Sequence, residues 1–240
     1  QSIGGGFLDA LADSLLLTKT IFPNLLPLIN LDDYKWPMMN LMAMMADSNL
    51  INPKEYTMYY DKFLLEAKQE LRKQALAEKK KSIAKASAED EEEKETYGYD
   101  VKDNEDAGNE SLSLYARLLM PFYETNTGVK EVMNKMIASN DKRVKYNTLF
   151  LLLKNKKPVP DTLFNYFAAM EDYRYDLYSD LKELKMKAKF PAKYNSHILL
   201  GKSKLLANNS FEKPDTMVFA ERLQTTYKNK TGYIYFFKYK

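Results

Sequence analysis

A chain of 240 residues with no cysteine and a single histidine has neither a disulfide framework nor the ligands for a thiolate or histidine-rich metal centre. Thirty-six Lys and Arg against 33 Asp and Glu leave a formal charge of +3, but eleven of the acids fall between Glu89 and Glu110 with only two lysines, so one stretch is acidic and the body is basic. Eighteen tyrosines and twelve phenylalanines are a heavy aromatic load, of the kind envelope and extracellular proteins carry, and a periplasmic or cell-envelope setting is expected, with the cytoplasm as alternative.

Gln1 to Gly6 holds three consecutive glycines and reads as linker. Phe7, Leu8, Leu11, Leu15 and Leu16 then form the stripe of a first helix, which Pro23 interrupts before a short apolar turn, Leu25 to Leu31. Asp9, Asp13, Lys19, Pro23 and Pro27 keep Phe7 to Leu31 from being a membrane span, and the N-terminal stretch is not expected to be a signal peptide. Beginning at Gln1, it is expected to be a mature form or a fragment of something longer. Asp32 and Asp33 favour the positive end of a helix that runs from Pro37 to about Ala46 with Met38, Leu41, Met42 and Met45 on one side. Five methionines in eight positions could bind soft copper or form an adaptable groove, but thioethers fill cores well, and core packing is the reading taken.

Asn52, Pro53 and Glu55 have the spacing of a helix start, with Asn as cap and Pro at the first helical position. A long helix follows, buried along Tyr56, Tyr59, Tyr60, Phe63, Leu64 and Leu71, and polar and alanine-rich from Lys73 to Lys85. Residues 86–110 lose all apolar periodicity and read as an acidic disordered loop, because they have too little apolar surface to offset their ordering entropy. Order resumes with Leu112, Tyr115, Leu118, Leu119 and Phe122. Val129, Val132, Met133, Met136 and Ile137 share one helix face; Asn140 and Asp141 cap the next helix, which carries Val144, Leu149, Leu152 and Leu153 and closes at Lys154 to Lys157. Pro160 and Asp161 open a third, with Leu163, Phe164 and Phe167.

Tyr173, Leu177, Leu181 and Leu184 mark another helix, ended by Pro191. Asn195 or Ser196 caps the last, with Ile198, Leu199, Leu205 and Leu206 as its apolar positions and His197 as a surface or capping residue. The chain then changes period. TGYIYFFKYK is rich in β-favouring residues, Lys228 to Gly232 supplies turn chemistry, and a hairpin with Met217 to Tyr227 is expected. Ile234 and Phe236 are expected to face the last helices near Leu205 and Leu206. Because the chain stops inside this strand, it is expected to continue in the natural protein or to pair with another element.

The predicted fold class is therefore mainly α, with antiparallel helix pairs stacked as an irregular solenoid or bundle and a small C-terminal β-hairpin. The expected organisation is a single helical domain over 1–240, containing the acidic loop at 86–110, a region of helix pairs at 111–206 and a hairpin at 216–240. The paired helices from Leu112 to about Leu206 resemble HEAT or armadillo repeats, which implies a protein-binding scaffold. The KPVPDTLFNYF and GYIYFFKYK stretches resemble the non-catalytic C-terminal extension of large bacterial envelope proteins of the TraB/GumN type, whose histidine-bearing motifs have no counterpart here.

No phosphate loop, dinucleotide fingerprint, G-x-S-x-G or H-E-x-x-H occurs, and no catalytic, cofactor-binding or metal-ligating residue is singled out. Asp32 with Asp33 and Glu171 with Asp172 sit at helix starts and read as structural. The expected function is a non-enzymatic helical interaction module with a protein partner and no nucleic acid, part of a larger envelope or secreted assembly. The alternatives are a domain of a hydrolase-like enzyme using carboxylate and tyrosine chemistry assembled only in three dimensions, and binding of an anionic polymer by the basic body.

Overall fold

The computed structural model describes residues 11, 14–88, 102–208 and 217–239. Among them the chain is mainly helical and ends in an antiparallel two-stranded hairpin, the class that the periodicity predicts. The chain divides into two compact units, residues 1–151 and 152–240.

The first unit contains α1 (Leu15–Leu25), α2 (Asp32–Asp47), α3 (Thr57–Ala88), α4 (Lys102–Leu119), α5 (Thr127–Ala138) and the greater part of α6 (Lys142–Lys154). α4 packs on both α2 and α3, and α3 also packs on α5. Met38, Met39, Met42 and Met45 of α2 are fully buried with Phe22, Ile29, Phe63, Leu112 and Leu118, so four of the five clustered methionines are core. Pro23 and Pro37 lie inside α1 and α2 instead of ending or opening them. An interior proline costs about 3 kcal/mol. Burying Phe22 beside Pro23, and the methionine face beside Pro37, returns about 1.5 to 3 kcal/mol per side chain, so packing overrides the local signal.

The acidic segment is shorter than its composition predicts. α3 continues to Ala88 and α4 begins at Lys102, so residues 86–88 and 102–110 are helical where disorder is expected; residues 89–101 lie outside the described residues. Each extension grows from a packed helix, where adding a residue costs far less than starting a helix anew.

Three helices end alike and without glycine. Asn49, Lys156 and Lys185 adopt left-handed φ of 55°, 56° and 59°. In each case the following amide reaches back to a carbonyl five residues earlier: Leu50 to Met45 at 2.9 Å, Lys157 to Leu152 at 2.8 Å and Met186 to Leu181 at 2.7 Å. This is the closure that glycine usually makes. It also stops the helix of Leu177 and Leu181 at Glu183, well before Pro191. At the opposite ends, Asn126, Asp141 and Ser196 accept amides of α5, α6 and the last helix, whereas Asn140 spends its side-chain amide on Glu78.

The second unit holds the end of α6, α7 (Thr162–Ala169), α8 (Glu171–Glu183), α9 (His197–Asn208), β1 (Met217–Tyr227) and β2 (Lys230–Tyr239). α8 packs on α7 and α9. Arg174 is buried in α8, and its guanidinium donates to the carbonyls of Ala168 at 2.7 Å and Ala169 at 2.9 Å, placing a cation on the negative end of α7. Ser203 of α9 is buried as well. Its hydroxyl accepts from the Tyr175 amide at 2.8 Å and donates to the Glu171 carbonyl, which binds α9 to the first turn of α8.

The hairpin turns through Lys228 and Asn229 alone, both left-handed with φ of 47° and 59°. Two such residues make the two-residue loop that matches strand twist. Gly232, expected in the turn, instead pairs with Thr225 inside the ladder, and a bulge interrupts the register between Phe219 and Glu221. The helix-facing side is the reverse of the one expected. Tyr235 stacks on His197 at 5.7 Å, and Phe237 fills the gap above Gly201, where an added Cβ would stand 3.1 Å from its ring. Ile234 and Phe236 therefore point outward and are exposed. Gly201→Leu should displace the Phe237 ring and lower stability by about 1 to 3 kcal/mol in urea melts, whereas Gly201→Ala should come near to neutral because helix propensity gains about 1 kcal/mol.

Candidate functional site

The first candidate lies in the first unit, where Glu66 of α3 meets Lys35 of α2 and Tyr115 of α4. Lys35 Nζ is 2.8 Å from Glu66 Oε1, and the Tyr115 hydroxyl donates to Glu66 Oε2 at 3.0 Å. Trp36 and Phe63 stand against the Tyr115 ring at 6.2 and 6.4 Å. Burial, followed by the charge of Glu66 and its hydrogen bond, holds the Tyr115 proton far above its ordinary range. Each carboxylate oxygen has a donor, and the tyrosine keeps its proton. The arrangement is thus suited to tying three helices together rather than to moving a proton near neutral pH. No local signal announces it, because the three residues lie 31 and 49 positions apart.

Tyr60 adds a second buried phenol. Its ring packs on Phe63 and Phe122, its hydroxyl has no hydrogen-bond partner among the described residues, and burial again raises its pKa.

The second candidate is the outward face of the hairpin. Val218, Leu223, Ile234 and Phe236 are 61, 55, 46 and 42% exposed, and every residue from Ala220 to Lys230 is exposed. Leu223 pairs directly with Ile234, and Phe236 with Glu221. Among the described residues the sheet has two strands, so neither long edge has a strand neighbour there. The inner face is also rich in rings, with Phe219 6.3 Å from Tyr235 and 6.0 Å from Phe237.

The other residues that drew attention in the sequence have structural places. Asp32 and Asp33 lie in the first turn of α2, and Glu171 and Asp172 in that of α8, where Glu171 also pairs with Lys202 at 2.8 Å. His197 opens α9 as a stacking platform for Tyr235. Among the described residues no group of three or more His, Asp or Glu is placed to hold a metal ion, and no helix is long and apolar enough to cross a membrane. No protein-family model, curated protein or solved structure matches the chain.

Tyr115→Phe removes a hydrogen bond to a charged acceptor and should cost about 1.5 to 3 kcal/mol at neutral pH. Because folding raises this tyrosine above its ordinary value of 10.0, its proton-linked stability is complete below that pH and is lost as pH rises above it. Urea midpoints measured from pH 8 upward should therefore fall less steeply in alkali for Tyr115→Phe than for the parent.

Proposed function

We propose that the chain is a non-enzymatic helical interaction module which binds a protein partner through its C-terminal hairpin, as part of a larger cell-envelope or secreted assembly. The observation that carries this reading is the outward row of Val218, Leu223, Ile234 and Phe236. An exposed apolar sheet face with open edges is sticky unless something covers it, and such faces mark interaction sites. The heavy aromatic load and the resemblance of the KPVPDTLFNYF and GYIYFFKYK stretches to envelope proteins support the setting.

The Glu66 cluster supports the non-enzymatic side of the reading, since its carboxylate is already paired and its phenol is held protonated. Within the second unit, α9 has the role of the base that presents the hairpin.

Replacing Leu223 and Ile234 together by Ser tests the reading. Both are exposed, so the melt should stay within about 0.5 kcal/mol of the parent. Association should nevertheless be lost, measured by sedimentation of the pure chain and by stoichiometric capture from envelope extract. A parent that neither self-associates nor retains a protein the variant releases would overturn the proposal.

A further inference from the structure

We infer that the hairpin's partner is a second copy of this chain, joined antiparallel along the free edge of β2 with Tyr235 on the two-fold axis. This rests on the hairpin being the docking element. The two-residue turn makes Tyr227 and Lys230 the closing hydrogen-bonded pair. Alternation from that pair turns the backbone groups of Gly232, Ile234 and Phe236 toward β1 and those of Thr231, Tyr233, Tyr235 and Phe237 away from it.

The edge so exposed, Thr231 to Phe237, is seven residues long and contains no charge and no proline. Free edges ordinarily carry such residues to prevent strand addition. β1 does, with Glu221 and Arg222 in its middle. An uncharged, aromatic strand is best met by another uncharged strand, and the chain supplies one in itself.

Self-pairing also selects a register. With Tyr235 on the axis, Ile234 faces Phe236 of the second copy and Tyr233 faces Phe237, so from Tyr233 to Phe237 apolar residues meet apolar residues. Moving the axis to Ile234 sets Phe236 opposite Gly232, which offers no side chain to pack against it. Moving it to Phe236 places Ile234 opposite Lys238. Only the Tyr235 register joins the two outward rows through Ile234 and Phe236, and it leaves Tyr235 and Phe237 free to stay on His197 and Gly201.

Sedimentation of the full chain at micromolar concentration should give twice the monomer mass. Tyr233→Pro removes an amide that points away from β1, so it should give a monomer with the parent's circular dichroism. The chain has no cysteine, which permits a second test. Ile234→Cys and Phe236→Cys, each alone, should cross-link slowly, while their mixture should form the disulfide-linked dimer quickly, because facing residues of such a pair lie about 4.5 Å apart at Cα, within disulfide reach. If Tyr233→Pro fails to fold, the cysteine mixture decides. A parent that stays monomeric overturns the inference, and a different protein captured through the outward face would then leave the hairpin reading standing. A dimer that survives Tyr233→Pro, or a mixture that cross-links no faster than its components, overturns it as well.

Discussion

Side chains alternate across a strand, so placing one ring places the whole hairpin. Gly201 leaves a gap on α9 that accepts Phe237, and His197 one turn earlier offers a flat surface to Tyr235. Once those two rings face the helix, Ile234 and Phe236 must face away, together with Leu223 and Val218 of the paired strand. A two-stranded sheet is marginal alone, and this one packs on α9. Its outward face is the one turned away from α9, and the interaction proposed for the chain starts from that face.

The helical units use their few polar core groups to join elements rather than to assemble chemistry. Lys35, Glu66 and Tyr115 connect three helices of the first unit through two short contacts. In the second, Arg174 closes the end of α7 and Ser203 clips α9 to α8. Most of these groups satisfy one another or the backbone, which is what burial demands of polar atoms. Among the described residues the Tyr60 hydroxyl and the Arg174 Nη1 are the exceptions, and at the Tyr60 site an apolar ring of the same shape would serve as well or better.

Much of the helical pattern was legible because the stripes obey a 3.6-residue period. Val132, Met133, Met136, Leu149, Phe164, Phe167, Leu177 and Leu181 are all buried as their spacing implies. Helix ends were less legible, since Asn49, Lys156 and Lys185 do the work of glycine, and Pro23 and Pro37 sit inside helices that packing sustains. The acidic composition hid the start of α4, because composition measures solvation and takes no account of the packed turns from which a helix grows. The hairpin was visible, but its facing was not. Both faces of β2 are apolar, so hydrophobicity could not choose between them, and the choice was made by a gap at Gly201 that only the folded helix creates.

Amide hydrogen exchange along β2 tests most directly whether the hairpin is anchored on one face and free along one edge. The amides of Ile234 and Phe236, which point to β1, should be protected at every concentration. Those of Tyr233 and Tyr235, which point away, should exchange rapidly in dilute solution and become protected as concentration rises and the edge is covered. Equal and concentration-independent exchange of the two sets would contradict both the strand's orientation and the pairing drawn from it.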